Sequence, residues 1–107
     1  MVIRRFDVYL VFLEPTMDSE IQKTRLRLVV SPDEANRRIA MVLVAPMTRG
    51  SHLYPTRIAC RFQGKDGTIV LDQLRVADKT RLSKNLGRIT QEEQKAVLAS
   101  PAEMSAE

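Results

Sequence analysis

One cysteine, one histidine, four glycines and no tryptophan occur in the 107 residues, and each scarcity closes off a class of chemistry. Cys60 alone cannot form an intrachain disulfide. With His52 as the single histidine, no pair of Cys or His residues stands at structural-zinc spacing. The few glycines are too scattered for a phosphate-cradling loop or a dinucleotide fingerprint, and there is no nucleophile elbow or metalloprotease helix. Neither a metal nor a cofactor is therefore expected. A lone histidine also excludes, within one chain, a mechanism that pairs two imidazoles as acid and base; His52 itself reads as an exposed loop residue. No apolar run approaches the roughly 18 residues of a membrane-spanning helix, and no signal-peptide core follows Met1-Val2-Ile3-Arg4-Arg5. The expectation is a protein of the reducing cytoplasm.

What is present suits a single domain over residues 1–107. Hydrophobic residues make up 44% and charged residues 28%, far from the balance of a disordered chain, so a compact core is expected. Lys and Arg outnumber Asp and Glu 17 to 13, giving a net charge of +4. A basic surface favours polyanionic partners such as nucleic acid, although charge alone does not choose among them.

Along the chain, residues 7–13 are rich in β-branched and aromatic side chains and read as a buried strand closed by Pro15 and Asp18. Residues 17–25 are polar and show neither period, so they read as a loop leading into a second strand that includes Leu28-Val29-Val30. Ser31-Pro32-Asp33-Glu34 predicts a helix start, with Ser31 as the capping hydroxyl and Pro32 in the first helical position, running to about Arg38. The apolar run 41–45 predicts a strand ended by Pro46, which leaves Thr48 on a loop at the strand end. Two more strands, 56–62 and 68–74, are joined by Gly64-Lys65-Asp66-Gly67, whose Asp-Gly pair signals an antiparallel hairpin. A helical turn at 80–82 and a short strand near 86–89 follow. Thr90-x-x-Glu93 is a capping box that opens a helix reaching to about Pro101. Short strands, tight turns, one brief central helix and one terminal helix predict a mainly β fold, a small barrel-like sheet with helical decoration.

Two loops are candidates for chemistry, because function concentrates on loops held by a rigid sheet. One is Ser19-Glu20-Ile21-Gln22-Lys23-Thr24-Arg25. The other is Pro46-Met47-Thr48-Arg49-Gly50-Ser51, whose hydroxyls and guanidinium suit phosphate contacts.

The same residues carry a family likeness. Asp7-Val8-Tyr9-Leu10-Val11, Glu14-Pro15-Thr16, Ser19 to Arg25, Val29-Val30-Ser31-Pro32, Ala45-Pro46-Met47-Thr48, Tyr54-Pro55-Thr56 and Asp72-Gln73-Leu74-Arg75 resemble, in order, the motifs of MazF/PemK toxins. The resemblance implies an SH3-like barrel with a C-terminal helix that forms a homodimer. It also implies a sequence-specific endoribonuclease for single-stranded RNA, the toxin of a type II toxin–antitoxin pair, held in check by a cognate antitoxin. By motif, Arg25 matches the family's catalytic arginine and Thr48 its catalytic threonine. Candidate RNA contacts are Glu20, Gln22, Lys23, Arg49, Arg57, Gln73 and Arg75. For Glu20 and Gln22 ordinary loop solvation is the competing reading, and for Arg75 a structural ion pair. Four positions depart from the family pattern: Phe6 stands where glycine is usual, Glu14 replaces the common aspartate, Leu26 follows Arg25 where proline is typical, and Arg49 stands where a second Ser or Thr is frequent.

The expected chemistry needs no metal, because RNA supplies its own nucleophile when a 2′-OH attacks the adjacent phosphate, leaving a 2′,3′-cyclic phosphate and a 5′-OH. Arg25 would bind the charged phosphoryl oxygens through a planar two-point contact, and Thr48 would hydrogen-bond there. The competing expectation is a non-catalytic barrel that inhibits a protein such as DNA gyrase, since fold alone does not separate a nuclease from a binder.

Overall fold

The computed structural model describes residues 2–12, 24–49 and 57–100. Seven strands and two helices follow in the order β1 (Asp7–Phe12), β2 (Thr24–Val29), α1 (Asp33–Arg38), β3 (Met41–Arg49), β4 (Arg57–Phe62), β5 (Lys65–Val70), β6 (Arg75–Asp78), β7 (Leu82–Arg88) and α2 (Gln91–Leu98). Short 3₁₀ turns at Leu71–Gln73 and Lys79–Arg81 flank β6. All pairings are antiparallel, in the order β4-β5-β3-β2-β1-β7, with β6 added alongside β3. The sheet curls into a half-barrel.

The apolar runs of β1 and of the first half of β3 follow from their place in the sheet, because both faces there are covered. On one side Val8, Leu28, Val30 and Ala45 pack with Ile69, Leu71, Ile89 and Val97, the last brought in by α2. On the other, Tyr9, Val11, Val29, Val42 and Val44 pack with Ile3, Ala77 and Leu82. Asp7 fastens the closing strand pair. It is buried, and its carboxylate accepts from Arg88 Nη1 at 3.1 Å, Asn85 Nδ2 at 3.1 Å and the Arg4 N–H at 3.3 Å, so the charge has partners and ties β1 to β7. The capping box is formed as expected: Thr90 Oγ1 accepts from the Glu93 N–H, and Glu93 Oε1 accepts from the Thr90 N–H.

Five expectations require correction. Ser31 does not cap α1. Pro32 occupies the cap position without a side-chain bond, while the buried Ser31 hydroxyl donates to Asn36 Oδ1 and accepts from the Leu43 N–H, joining the helix to β3. Pro46 does not end its strand: β3 runs on to Arg49, so Thr48 lies in a strand and not on a loop. The hairpin turns at Gln63-Gly64, both at positive φ (53° and 79°), with Phe62 opposite Lys65. Two consecutive left-handed residues match the twist of an antiparallel pair, and the Asp66-Gly67 signal instead lies inside β5. Finally, residues 68–74 are not one strand; burial of Leu71 in a 3₁₀ turn breaks the run, and a separate β6 follows. The last strand also starts earlier than expected, at Leu82, because β7 pairs along most of β1.

Phe6 has φ 76°, a left-handed conformation that costs a residue with a β-carbon about 1–2 kcal/mol. It is held there because its N–H donates to the Val29 carbonyl at 2.7 Å, its carbonyl accepts from the Ile89 N–H, and its ring is buried in the core. Ring burial and backbone strain thus oppose each other at a single position. Phe6→Ala is expected to destabilise the fold by about 3–5 kcal/mol through the lost ring. Phe6→Gly is expected to be more stable than Phe6→Ala by about 1 kcal/mol, the reverse of the usual order, because glycine takes positive φ freely. Urea unfolding of both variants checks this, and a glycine variant less stable than the alanine variant would contradict it.

Candidate active site

The register of β2 on β3 builds the site. Val29 faces Val44, Leu28 faces Ala45 and Arg27 faces Pro46, and there the ladder stops. Carried two residues further, the same register would set Arg25 opposite Thr48. Instead β3 takes β5 as its partner from Met47 onward, so β2 and β3 part and open a groove between them. Arg25 and Arg27 share one face of β2; Pro46 and Thr48 lie on the corresponding face of β3. Arg75 joins them from β6, where it pairs with Val44, and Gln73 comes from the 3₁₀ turn before it. All six line one groove of roughly 920 Å³.

Its electrostatics are one-sided. Among the described residues lining the groove, Arg25, Arg27, Lys65 and Arg75 are cationic, and Asp66 is the one carboxylate. Asp66 lies 3.9 Å from Arg61 Nε in an exposed pair. Arg27 is half-buried, and one of its guanidinium N–H groups donates to the Leu26 carbonyl at 3.2 Å. Burial, with the nearby Arg25 and Arg75 guanidiniums, holds its pKa below the usual arginine value. The groove therefore presents an excess of positive charge, a setting that favours anions.

The floor of the groove depends on Gly67. A β-carbon there would lie 2.7 Å from the Thr48 carbonyl oxygen, so glycine is what lets β5 pair closely enough to hold Thr48 in the strand. Beside it Cys60 is buried, and burial, reinforced by the carboxylates of Glu93 and Asp66, pushes its thiol up to about 11. A thiol so raised is protonated at neutral pH and is no nucleophile.

The sequence-predicted residues divide clearly. Arg25, Thr48, Gln73 and Arg75 come together, and all four are exposed to the groove. Arg75 has no carboxylate partner among the described residues, so the structural ion pair weighed for it is absent there. Arg57 is engaged elsewhere: its Nε lies 3.4 Å from Asp72 Oδ1 and it is only partly exposed. Arg49 occupies the last position of β3, opposite Gly67. Glu20, Gln22 and Lys23 lie outside the described residues. Arg27 was not singled out from the sequence, where it reads as one more polar position in an alternating strand. Its spacing of two from Arg25 was the signal that could have found it.

The model of a family described as PemK-like, MazF-like toxin of type II toxin-antitoxin system matches residues 4–104. A relative, Endoribonuclease MazF of Staphylococcus epidermidis, is 35% identical over 91 residues, an alignment spanning 79% of this chain and 76% of the relative. Among solved structures, an endoribonuclease from Mycobacterial species superposes with a TM-score of 0.76 at 22% identity, covering 92% of this chain and 86% of the other. An endoribonuclease in complex with its cognate antitoxin, also from Mycobacterial species, gives 0.74 at 22% identity, with 90% and 87% covered. A MazE-MazF structure from Deinococcus radiodurans gives 0.76 at 21% identity, with 91% and 89% covered.

Because Cys60 titrates near 11 in place of 9.0, its alkylation by iodoacetamide at pH 8 is expected to run roughly a hundredfold slower than that of an unperturbed thiol. The folded pKa lies above the unfolded one, so the associated stability is complete below about pH 9 and is lost as the pH rises through about 11. Rapid alkylation of the folded protein at pH 8 would show that the thiol is neither buried nor suppressed.

Proposed function

The chain belongs to the PemK-like, MazF-like toxins of type II toxin–antitoxin systems and is an endoribonuclease toxin, and on that premise we propose that it cuts single-stranded RNA at a phosphate held by Arg25 and Thr48. The observation that carries the assignment is the groove in which these two side chains share a lining with Arg27, Gln73 and Arg75 while four cations face one carboxylate. The Arg25 guanidinium pairs in a fork with the non-bridging oxygens of the scissile phosphate, and the Thr48 hydroxyl donates a hydrogen bond to the same group. The neighbouring 2′-OH attacks phosphorus in line. Its proton is lost, the bond from phosphorus to the 5′-oxygen breaks, and that oxygen takes up a proton. The products are a 2′,3′-cyclic phosphate and a 5′-OH. Since the nucleophile belongs to the substrate and the developing charge is met by guanidinium, the reaction proceeds without a metal. Gln73 and Arg75 contact flanking nucleotides, as do Glu20, Gln22, Lys23 and Arg49 from the adjoining segments, giving sequence selectivity.

The partners proposed are a cognate antitoxin, as in two of the similar structures, and a second copy of the chain. The setting proposed is the cytoplasm; no helix among the described residues is long and apolar enough to cross a membrane.

Purified protein is expected to cut an all-RNA strand in excess EDTA and to leave intact a strand carrying 2′-deoxyribose at the cut site. Cutting of that strand, or complete loss of activity in EDTA, would sink the mechanism. Arg25→Ala and Thr48→Ala should each lower the single-turnover rate by roughly 10²- to 10³-fold at saturating protein. Arg25→Lys should not restore the parent rate, because lysine keeps the charge but not the fork. Near-parental cleavage by Arg25→Ala would reassign that residue to binding alone.

Homodimerisation is checked by sedimentation. A fully active monomer at micromolar concentration would contradict it.

A further inference from the structure

Arg27 is unexplained by the reaction just described, which uses Arg25 at the scissile phosphate. It lies two residues further along β2, on the same face, so the two Cα atoms are separated by about 6.6 Å of extended chain. That separation is comparable with the distance between successive phosphates along an extended single strand. Directly across from Arg27 lies Pro46, whose ring offers neither donor nor charge, and beyond it Arg75 pairs with Val44 on the same face. One guanidinium N–H of Arg27 is used on the Leu26 carbonyl. None of Arg25, Arg27 and Arg75 has a carboxylate partner among the described residues, and Asp66 is paired with Arg61. Arg27 is half-buried, and burial, with the Arg25 and Arg75 guanidiniums beside it, holds its pKa below the usual arginine value. A structural arginine would be expected to hold a neighbouring acid or a set of carbonyls, and this one leaves most of its fork open to the groove.

We propose that Arg27, supported by Arg75, forms a second phosphate subsite that grips the RNA backbone phosphate next to the scissile one. This subsite rests on the placement of the scissile phosphate at Arg25, and it fixes the register of the strand: one phosphate anchored at Arg27 sets which phosphate meets Arg25 and Thr48. A sugar–phosphate backbone is the ligand favoured over an acidic peptide because the chain is an endoribonuclease and Arg27 lines the same groove as Arg25 and Thr48, so the strand held at one phosphate presents the next within reach.

The test uses full-length protein and an RNA oligonucleotide made uncleavable by one 2′-deoxyribose at the cut site. In two further oligonucleotides, a neutral methylphosphonate replaces the phosphate on one side of the cut or on the other. Parent protein is expected to lose roughly ten- to a hundredfold in Kd with one of the two and little with the other. Arg27→Met should lose a similar factor on the unmodified strand, with its salt dependence flattened by about 0.7 in log–log slope. Combining the variant with the sensitive methylphosphonate should cost nothing more. Its melting temperature should equal or exceed that of the parent, because a crowded charge is removed.

Losses that add would show that Arg27 does not touch that phosphate. Equal tolerance of both methylphosphonates by the parent would overturn the subsite whether or not the variant folds. Failure of the underlying site reads out separately: Arg25→Ala would then still cut all-RNA strands at the parent rate, whatever Arg27 does in binding.

Discussion

Over its nine residues β3 changes company. Up to Val44 it is held by β6, through Pro46 by β2, and from Met47 by β5. The half-barrel exists because this one strand belongs to two sets of partners, and the groove exists because β2 does not follow it across the change. Pro46 lies at that point, the last β3 residue opposite β2, so its missing N–H falls where one ladder ends and the next begins. Gly67 permits the new pairing by keeping a β-carbon off the Thr48 carbonyl. A side chain at position 67 would press on the Thr48 carbonyl and force the two strands apart.

Positioning follows from this. A residue carried by a paired strand is held more closely than one on a loop, and electrostatic catalysis requires its donors to be in place before charge develops. Arg25 sits in β2 and Thr48 in β3, each fixed by its own ladder, with only the gap between the strands left for a ligand. The crowding of Arg25, Arg27 and Arg75 is the cost of that arrangement. None of the three has a carboxylate partner among the described residues, and the one carboxylate lining the groove, Asp66, is paired with Arg61.

Most elements could be read from the sequence because their signals are local. Alternation and β-branching mark β1, the Thr90 and Glu93 box marks α2, and a basic balance points to an anionic partner. What could not be read depends on pairing. Pro46 is a strand terminator by local rules and a strand interior residue once β5 arrives. Asp66-Gly67 is a turn signal that loses to Gln63-Gly64, since register is decided by the side chains of β4 and β5 together. Arg25 and Thr48 were singled out through the family likeness, but their alignment across a splayed ladder is a tertiary fact. Arg27 was passed over for the same reason: in a strand written Thr-Arg-Leu-Arg-Leu-Val, the second arginine is indistinguishable from ordinary solvent-facing alternation until its neighbours on β3 and β6 are known.

Phe6 shows the same competition between local rule and tertiary context at the other end of the sheet. Its left-handed backbone suits glycine, yet its ring is buried among Val8, Val30 and Ile89 and its backbone is bonded to Val29 and Ile89 on both sides. A buried aromatic ring is worth more than the strain costs, so phenylalanine can stand there. The same competition bears on Leu26, which stands where the family resemblance implies a proline. Leu26 packs against the same core as Phe6 and lies opposite Leu10, so its pairing and burial constrain the backbone beside Arg25 where a proline ring would otherwise have done so. The rigidity that proline would supply through φ is replaced here by packing, a source that depends on the core remaining intact.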